Sequence, residues 1–503
     1  TKFVLGKALR LGLKPIVLIN KVDRSDARPH QVHDEVFDLF SALDASDEQL
    51  DFPTLFASAR QGWAAVSLEA ERTDMTSLFD LILRHVPAPT IEADKPFRML
   101  VTTLESDAFL GRMLTGRIHS GIIKPNTILK ALSRDGSEIE QTRITKVLAF
   151  RGLERVALDQ AEAGDIVAVA GFKSATVADT ICDQSVDWAL PAQPVDPPTL
   201  AMNFMVNDSP LAGREGDKLT TRMIRARLMR EGEGNVAIRV RDTENADSYE
   251  VAGRGELQLG VLIETMRREG FELAVGRPRV LFQTDARTGQ RLEPIEEVVI
   301  DVDDAFTGVV VEQISQRKGE LQDMRPSGAG KTRVVFHAPS RGLIGYHGEF
   351  LTDTRGTGVM NRLFHSYGPF RGPIPGRRNG ALIANAEGTA VAYALWNLEE
   401  RGPMFIDPGA TVYQGMLIGE HSRGNDLDVN VLKGKQLTNI RAAGKDEAVR
   451  LTPPRRMSLE QAIAYVEDDE LVEVTPKSIR LRKRFLEPED RKRARKQAAM
   501  AAE

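Results

Sequence analysis

Asn20-Lys21-Val22-Asp23 closes the apolar run Pro15-Ile16-Val17-Leu18-Ile19, and Phe56-Ala57-Ser58-Ala59 ends a second apolar run downstream. A carboxylate at a strand end can accept two hydrogen bonds side by side. Guanine offers that pair of donors in its ring N–H and exocyclic amine, whereas adenine does not, so Asp23 would select guanine. In the same reading Asn20 bridges the base and neighbouring loops, and the aliphatic stem of Lys21 covers the base plane. Ser58-Ala59 forms the second loop, with the Ala59 N–H donating to the exocyclic oxygen. Asn-Lys-x-Asp alone also describes an ordinary solvated strand-end turn. The apolar strand before it and the strand-Ser-Ala after it favour the guanine-reading loops of a GTPase. The candidate guanine-binding set is therefore Asn20, Lys21, Asp23, Ser58 and Ala59.

A strand that is apolar throughout belongs in a parallel sheet covered by helices on both faces. Ligands of such sheets bind beyond the carboxyl ends of the strands, where Asn20–Asp23 falls. Helical stripes surround the two runs: Val4, Ala8 and Leu11; then Val32, Val36, Leu39, Phe40 and Leu43; then Leu78, Phe79, Ile82 and Val86. Residues 1–90 thus read as the C-terminal part of a P-loop GTPase α/β sheet.

The phosphate half of such a site needs a Gly-rich loop, its Lys and a magnesium Asp. No complete G-x-x-x-x-G-K-[ST] occurs. Gly330-Lys331-Thr332 comes nearest, but Arg325 stands where the first Gly belongs, and the strand-like Thr332–Phe336 follows instead of a helix. Gly328-Ala329-Gly330 is better read as a hairpin turn. Asp353-Thr354-Arg355-Gly356 imitates the magnesium-side D-x-x-G without a GTPase core around it. No catalytic residue is assigned within the chain. Because Thr1 opens inside a helical pattern without Met, the expectation is a phosphate-binding segment upstream, carrying the magnesium ligands. The chain alone would then not hydrolyse GTP.

At 503 residues the chain should hold three to five domains, and 42% hydrophobic content supports packed cores. The single Cys182 excludes an internal disulfide and a zinc site, and fits a reducing cytoplasm. His119, His337, His347, His365 and His421 show no metal-ligand spacing, so no metal site is assigned. No apolar stretch could span a bilayer. A net charge of −5 does not advertise nucleic-acid binding, although the last quarter is locally basic.

Pro- and Gly-rich linkers divide the rest. Residues 97–188 carry short strands separated by His119-Ser120-Gly121, Lys124-Pro125-Asn126 and Asp135-Gly136, which predicts an antiparallel β-barrel. Residues 198–284 read as β-α-β-β-α-β, with a second helix marked by Leu259, Leu262, Ile263 and Met266. Residues 293–368 repeat that order, including a helix over Leu343–Leu351. Both are ferredoxin-like α+β sandwiches. Residues 374–485 form a strand-rich C-terminal domain with a helix capped by Ser458 and Gln461. Residues 486–503 are a basic tail with Pro488, Glu489 and Asp490 at a possible helix start.

This order resembles the ribosomal translocation GTPases, the two sandwiches matching the third and fifth domains of elongation factor G. Only the short Asp285–Pro294 linker separates them, where elongation factor G has another domain. Gly342–Tyr346, Gly356–Asn361, Gly415–His421 and Leu432–Arg441 resemble the BipA/TypA family, as do Lys7–Gly12 and Ser58–Ala64. The resemblance covers essentially the whole chain. It implies a cytoplasmic, monomeric, ribosome-binding GTPase that turns GTP into GDP with magnesium, active in stress or cold response and ribosome assembly. Expected partners are ribosomal RNA, the ribosomal tRNA site and guanine nucleotides, with guanosine tetraphosphate as a further candidate. No membrane is expected. Lys433, Lys435, Arg441 and Lys445 flank Gly434 and Gly444 in a segment of low apolar content. Cations on such a loop can follow RNA phosphates, which makes these four the candidate RNA-binding residues. Arg423 and Arg455-Arg456 are weaker candidates. The competing function is a non-catalytic ribosome- or RNA-binding assembly module.

Overall fold

The computed structural model describes residues 2–88, 91–107, 109–152, 154–193, 196–328, 330–374, 376–434 and 450–502. The chain divides into two compact units, Thr1–Glu92 and Ala93–Glu503.

The first unit runs α1 (Lys2–Arg10), β1 (Val17–Ile19), α2 (Pro29–Ser41), α3 (Asp47–Leu50), β2 (Thr54–Ser58), β3 (Trp63–Ala65) and α4 (Thr76–His85). Pro29 opens α2, where its fixed φ suits a first helical position and its missing N–H leaves no bond unmade. Ser46 and Gln49 form a reciprocal capping box on α3. β1 and β2 are parallel, with Leu18 opposite Leu55 and Ile19 opposite Phe56. β3 then pairs antiparallel with β2. Phe40 and Phe52 pack with ring centroids 4.8 Å apart, in a small core completed by Leu9. One expectation fails here. β1 is an edge strand among the described residues and Leu18 is 38% exposed, so the three-stranded sheet does not cover the apolar run on both sides.

The second unit opens with an eight-stranded antiparallel sheet. Its strand path runs from Glu154–Ala157 through Lys146–Arg151, Ile166–Ala170, Gly111–Ser120, Arg98–Asp107, Thr180–Cys182 and Ile128–Leu132 to Glu138–Arg143. The sequence pattern predicts an antiparallel β-barrel here. Among the described residues the two end strands do not pair, so the sheet curls around its core of Met99, Leu114, Ile118 and Ile181 without closing.

Leu200–Val206, Arg239–Asp242, Ser248–Gly253 and Leu273–Val275 form the first sandwich sheet, with helices Thr221–Gly234 and Glu256–Arg268. This sheet does not stop at the sandwich. Leu273–Val275 pairs antiparallel with Glu470–Val474, and the sheet continues through Ile479–Lys483, Met416–His421, Gly380–Ala384 and Leu427–Val429. Ten strands of two modules thereby share one sheet, and one core cluster contains residues of both modules. Buried charges knit the C-terminal part together. Glu470, 0% exposed, takes two bonds from Arg377 (2.9 and 3.1 Å) and one from the buried Lys483 (2.8 Å). Glu473, equally buried, accepts from Asn207, Ser209, Tyr413 and Arg480.

The second sandwich is built on Arg291–Asp303, flanked by Lys331–Pro339 and Val359–Pro369, with Glu320–Pro326 at the edge. Helices Thr307–Gln316 and Tyr346–Asp353 cover one face. The second of these starts later than Leu343. Gly345 adopts φ 74°, a left-handed conformation that ends the preceding 3-10 turn, and its N–H donates to Glu256 Oε2 at 2.9 Å. The basic terminus forms a helix over Pro488–Ala502, tied down by Arg491 to the Leu486 carbonyl (2.7 Å) and by Arg495 to Asp426 (2.7 Å).

Candidate guanine-nucleotide site

β1 and β2 end side by side, and that brings Asn20–Asp23 and Ser58–Ala59 together. The Val22 N–H donates to the Ala57 carbonyl at 3.3 Å, which ties the first loop to the strand carrying the second. Asn20 Oδ1 accepts from the Lys21 N–H at 2.7 Å and the Ala59 N–H at 3.0 Å. Asn20 is thus the clasp between the loops. The Ala59 N–H, expected to serve a base oxygen, points at Asn20, so any donation to a base is shared with that carboxamide.

Lys21 sits at φ 64°, a left-handed conformation that costs a side-chain-bearing residue free energy. It turns the chain so that Asp23 follows one tight bend, closed by the Arg24 N–H on the Lys21 carbonyl at 3.2 Å. Arg24 is engaged by Asp26 through two bonds of 2.8 and 3.1 Å, and that bonding holds the Asp26 carboxyl below its ordinary range. Asp23, exposed, keeps a carboxylate with no hydrogen bond or ion pair among the described residues. An open acceptor pair on a fixed turn is the arrangement needed to read two adjacent donors.

Ser58 is buried, and its hydroxyl and carbonyl both accept from the Gln61 N–H, at 3.3 and 3.1 Å, while the carbonyl also takes the Gly62 N–H at 2.9 Å. Its role is to shape the loop. The sequence reading gave no role to Gln61 and Trp63, which complete that shape: the indole N–H donates to Gln61 Oε1 at 2.8 Å, and Arg72 lies 4.8 Å over the ring. Gly62, at φ 76°, was the available signal for a tight turn there.

Lys331 lies elsewhere, on the hairpin between Glu320–Pro326 and Lys331–Pro339. Its N–H closes the turn onto the Gly328 carbonyl at 3.1 Å, and its ammonium pairs with Asp303 at 2.8 Å. Lys331→Ala should leave nucleotide turnover unchanged and cost at most about 1 kcal/mol of stability, as a half-exposed ion pair does. A GTPase assay beside a thermal melt checks this, and a large loss of turnover would return Lys331 to the phosphate site. Among the described residues no three His, Cys, Asp or Glu side chains converge as metal ligands, so none is assigned to magnesium. Of the candidate RNA-binding residues, Lys433 is exposed beside Gly434, while Lys435, Arg441 and Lys445 lie outside the described residues.

Profiles of known families match along the chain in the order of the modules. The elongation factor Tu GTP binding domain matches residues 1–88, elongation factor Tu domain 2 matches 111–182, and the elongation factor G C-terminus matches 290–378. The TypA/BipA C-terminal domain matches residues 379–488. The large ribosomal subunit assembly factor BipA of Escherichia coli K12 is 51% identical over 495 residues, 98% of this chain and 81% of that protein. The chain belongs to the BipA/TypA family. The proteins of the same description from Haemophilus influenzae and Synechocystis are 52% and 50% identical, over 98% and 96% of this chain and 80% of each relative. This BipA/TypA chain is therefore a guanine-nucleotide GTPase relative with translation-factor modules, and the Asn20–Ala59 clasp lies within its GTP-binding domain match.

Proposed function

We propose that this BipA/TypA protein is a ribosome-binding GTPase that serves assembly of the large ribosomal subunit, hydrolysing GTP to GDP in the course of that work. The observation that carries the nucleotide reading is the Asp23 carboxylate, unpaired among the described residues and set on a left-handed turn beside loops clasped by Asn20. Asn20, Lys21, Asp23, Ser58 and Ala59 together hold guanine: Asp23 reads the base edge, Lys21 covers its plane, and Asn20 and Ser58 keep the loops in place. Assembly of the large subunit is the work that the relatives' description names, and half of all positions are identical to theirs. Magnesium bound to the phosphates would neutralise charge developing there. Guanosine tetraphosphate shares the guanine base and so fits the same loops. A role under stress or cold rests on family resemblance alone.

Ribosome contact is assigned to the C-terminal module through Lys433, Lys435, Arg441 and Lys445, four cations in a Gly-flanked segment. The triple change of Lys433, Lys435 and Arg441 to Ala should leave folding within about 0.5 kcal/mol, as surface changes do. Co-sedimentation with ribosomes should fall, and its salt dependence should flatten by a log–log slope of about 0.7–0.9 per lost phosphate contact. A variant that melts normally and pellets like wild type at every salt concentration would place the RNA contact elsewhere.

A further inference from the structure

The first sandwich and the C-terminal module meet at a cleft of about 610 Å³ whose wall holds six cations, Arg214, Arg267, Arg455, Arg456, Lys477 and Arg480, against two carboxylates, Glu215 and Asp407. In a chain of net charge −5 such a concentration is the reverse of the average surface. Four of the six are held by acids. Arg267 bonds the Thr475 carbonyl (2.8 Å) and Glu264 (3.0 Å), and Arg480 bonds Glu215 (2.6 Å) and Glu473 (2.7 Å). Arg455 pairs with Glu420 (3.2 Å) and Arg456 with Asp407 (2.8 Å).

Two are left over. Among the described residues Arg214 reaches only the Pro210 carbonyl, at 3.5 Å, and the Lys477 ammonium has no hydrogen-bond or ion-pair partner. Two uncompensated cations match the charge of a phosphate group, and the arginine next to them is already oriented by its own acids. The rest of the wall is apolar, with Phe405, Ile406 and Met457 beside the cations. Phe405 is locked edge-to-face against Tyr465 at 5.5 Å, which fixes a flat aromatic surface in the cleft. A flat apolar wall next to unpaired cations suits a ligand with a planar base at one end and a phosphate at the other. The volume lies within the range of pockets for ligands of that size.

We propose that this cleft binds a nucleoside phosphate, with Arg214 and Lys477 on the phosphate and Phe405 against the base. The ligand is either a free nucleotide or one nucleotide of a single-stranded RNA. Nothing in this assignment depends on the guanine loops, which lie in the other unit.

The test uses two probes, ADP by calorimetry and a 5′-phosphorylated hexauridylate by fluorescence anisotropy, on the whole chain. Neither presents guanine, so the site read by Asp23 stays out of the measurement, and failure here leaves that reading standing. The variants are Arg214→Ala/Lys477→Ala and its conservative partner Arg214→Lys/Lys477→Arg, all at exposed side chains. Wild type is expected to bind at least one probe. The alanine pair should lose at least tenfold in affinity with an unchanged melt, and the conservative pair should retain binding. Binding of the oligonucleotide alone identifies RNA as the source, and binding of ADP identifies a free nucleotide. Absence of binding by both probes at millimolar concentration, or an alanine pair that binds like wild type, would overturn the proposal.

Discussion

Asp23→Asn should transfer the nucleotide preference of the protein from guanosine towards xanthosine. The carboxylate accepts from the guanine ring N–H and amine, and both bonds carry the charge of the acceptor. Replacing it with an amide removes that charge and turns one acceptor into a donor facing the amine. Xanthine has a carbonyl at that place, so the same donor finds a partner there. GDP affinity should fall by about 1.5–3 kcal/mol, roughly 10- to 150-fold, while xanthosine diphosphate gains. Asp23 is exposed and makes no other bond among the described residues, so the substitution should not disturb folding. Paired titrations of the two diphosphates decide the matter. Equal GDP affinity in variant and parent would remove Asp23 from the base site.

Glu470→Ala should destabilise the second unit by about 3–5 kcal/mol, the range for stripping one partner from a buried charge pair. Glu470 is fully buried and balances both Arg377 and Lys483, and it also accepts the Glu467 N–H at 2.9 Å. Lys483 keeps Asp426 (2.9 Å) and Asp469 (3.1 Å), which limits its share of the loss. Among the described residues the Arg377 guanidinium has no other carboxylate partner at comparable distance, since its remaining bonds go to the Asn379 and Tyr465 carbonyls, while the backbone N–H of Arg377 donates to Glu467 Oε1 at 2.8 Å. Most of the effect should therefore be traceable to Arg377. Denaturant unfolding of Glu470→Ala, of Arg377→Met and of the double variant would show it, the double being less destabilised than the sum. A loss below about 1 kcal/mol in Glu470→Ala would mean that water reaches the guanidinium.

The elements with strong periodicity were legible. Leu259, Leu262, Ile263 and Met266 marked a helix and all four are buried in it. Leu200–Val206, apolar but for Asn203, suits the first strand of the β-α-β-β-α-β order by its length, and it is one. Asn20 and Ala59 could be paired on paper because a parallel sheet sets neighbouring strand ends together, and the structure adds the bond between them. Other features left no local trace. β3 is three residues long, too short to show a period, and is recognised only by its pairing with β2. Glu470-Leu471-Val472-Glu473-Val474 looks half-polar, yet every residue in it is buried. Its charges are satisfied by Arg377, Tyr413, Asn207 and Ser209, which no local pattern could bring to that strand. For the same reason two modules separated by linkers read as separate domains, and the sheet that joins them emerges only from strand pairing. The missing closure of the antiparallel module has a similar origin, because strand count and alternation are the same in an open and a closed sheet.

That joined sheet sets a timetable for synthesis. Leu273–Val275 is an edge until Glu470–Val474 arrives, roughly 200 residues later in the chain. At about 5–20 residues per second the wait on the ribosome is roughly 10–40 seconds. Throughout it the unpaired N–H and C=O groups of Leu273–Val275 stay open to any passing strand. The second sandwich, whose sheet strands all fall between Gln283 and Pro369, can complete its own sheet within that interval. The order of emergence thus leaves the first sandwich unfinished while its neighbour is done, and makes the last quarter of the chain the seal on a module begun long before.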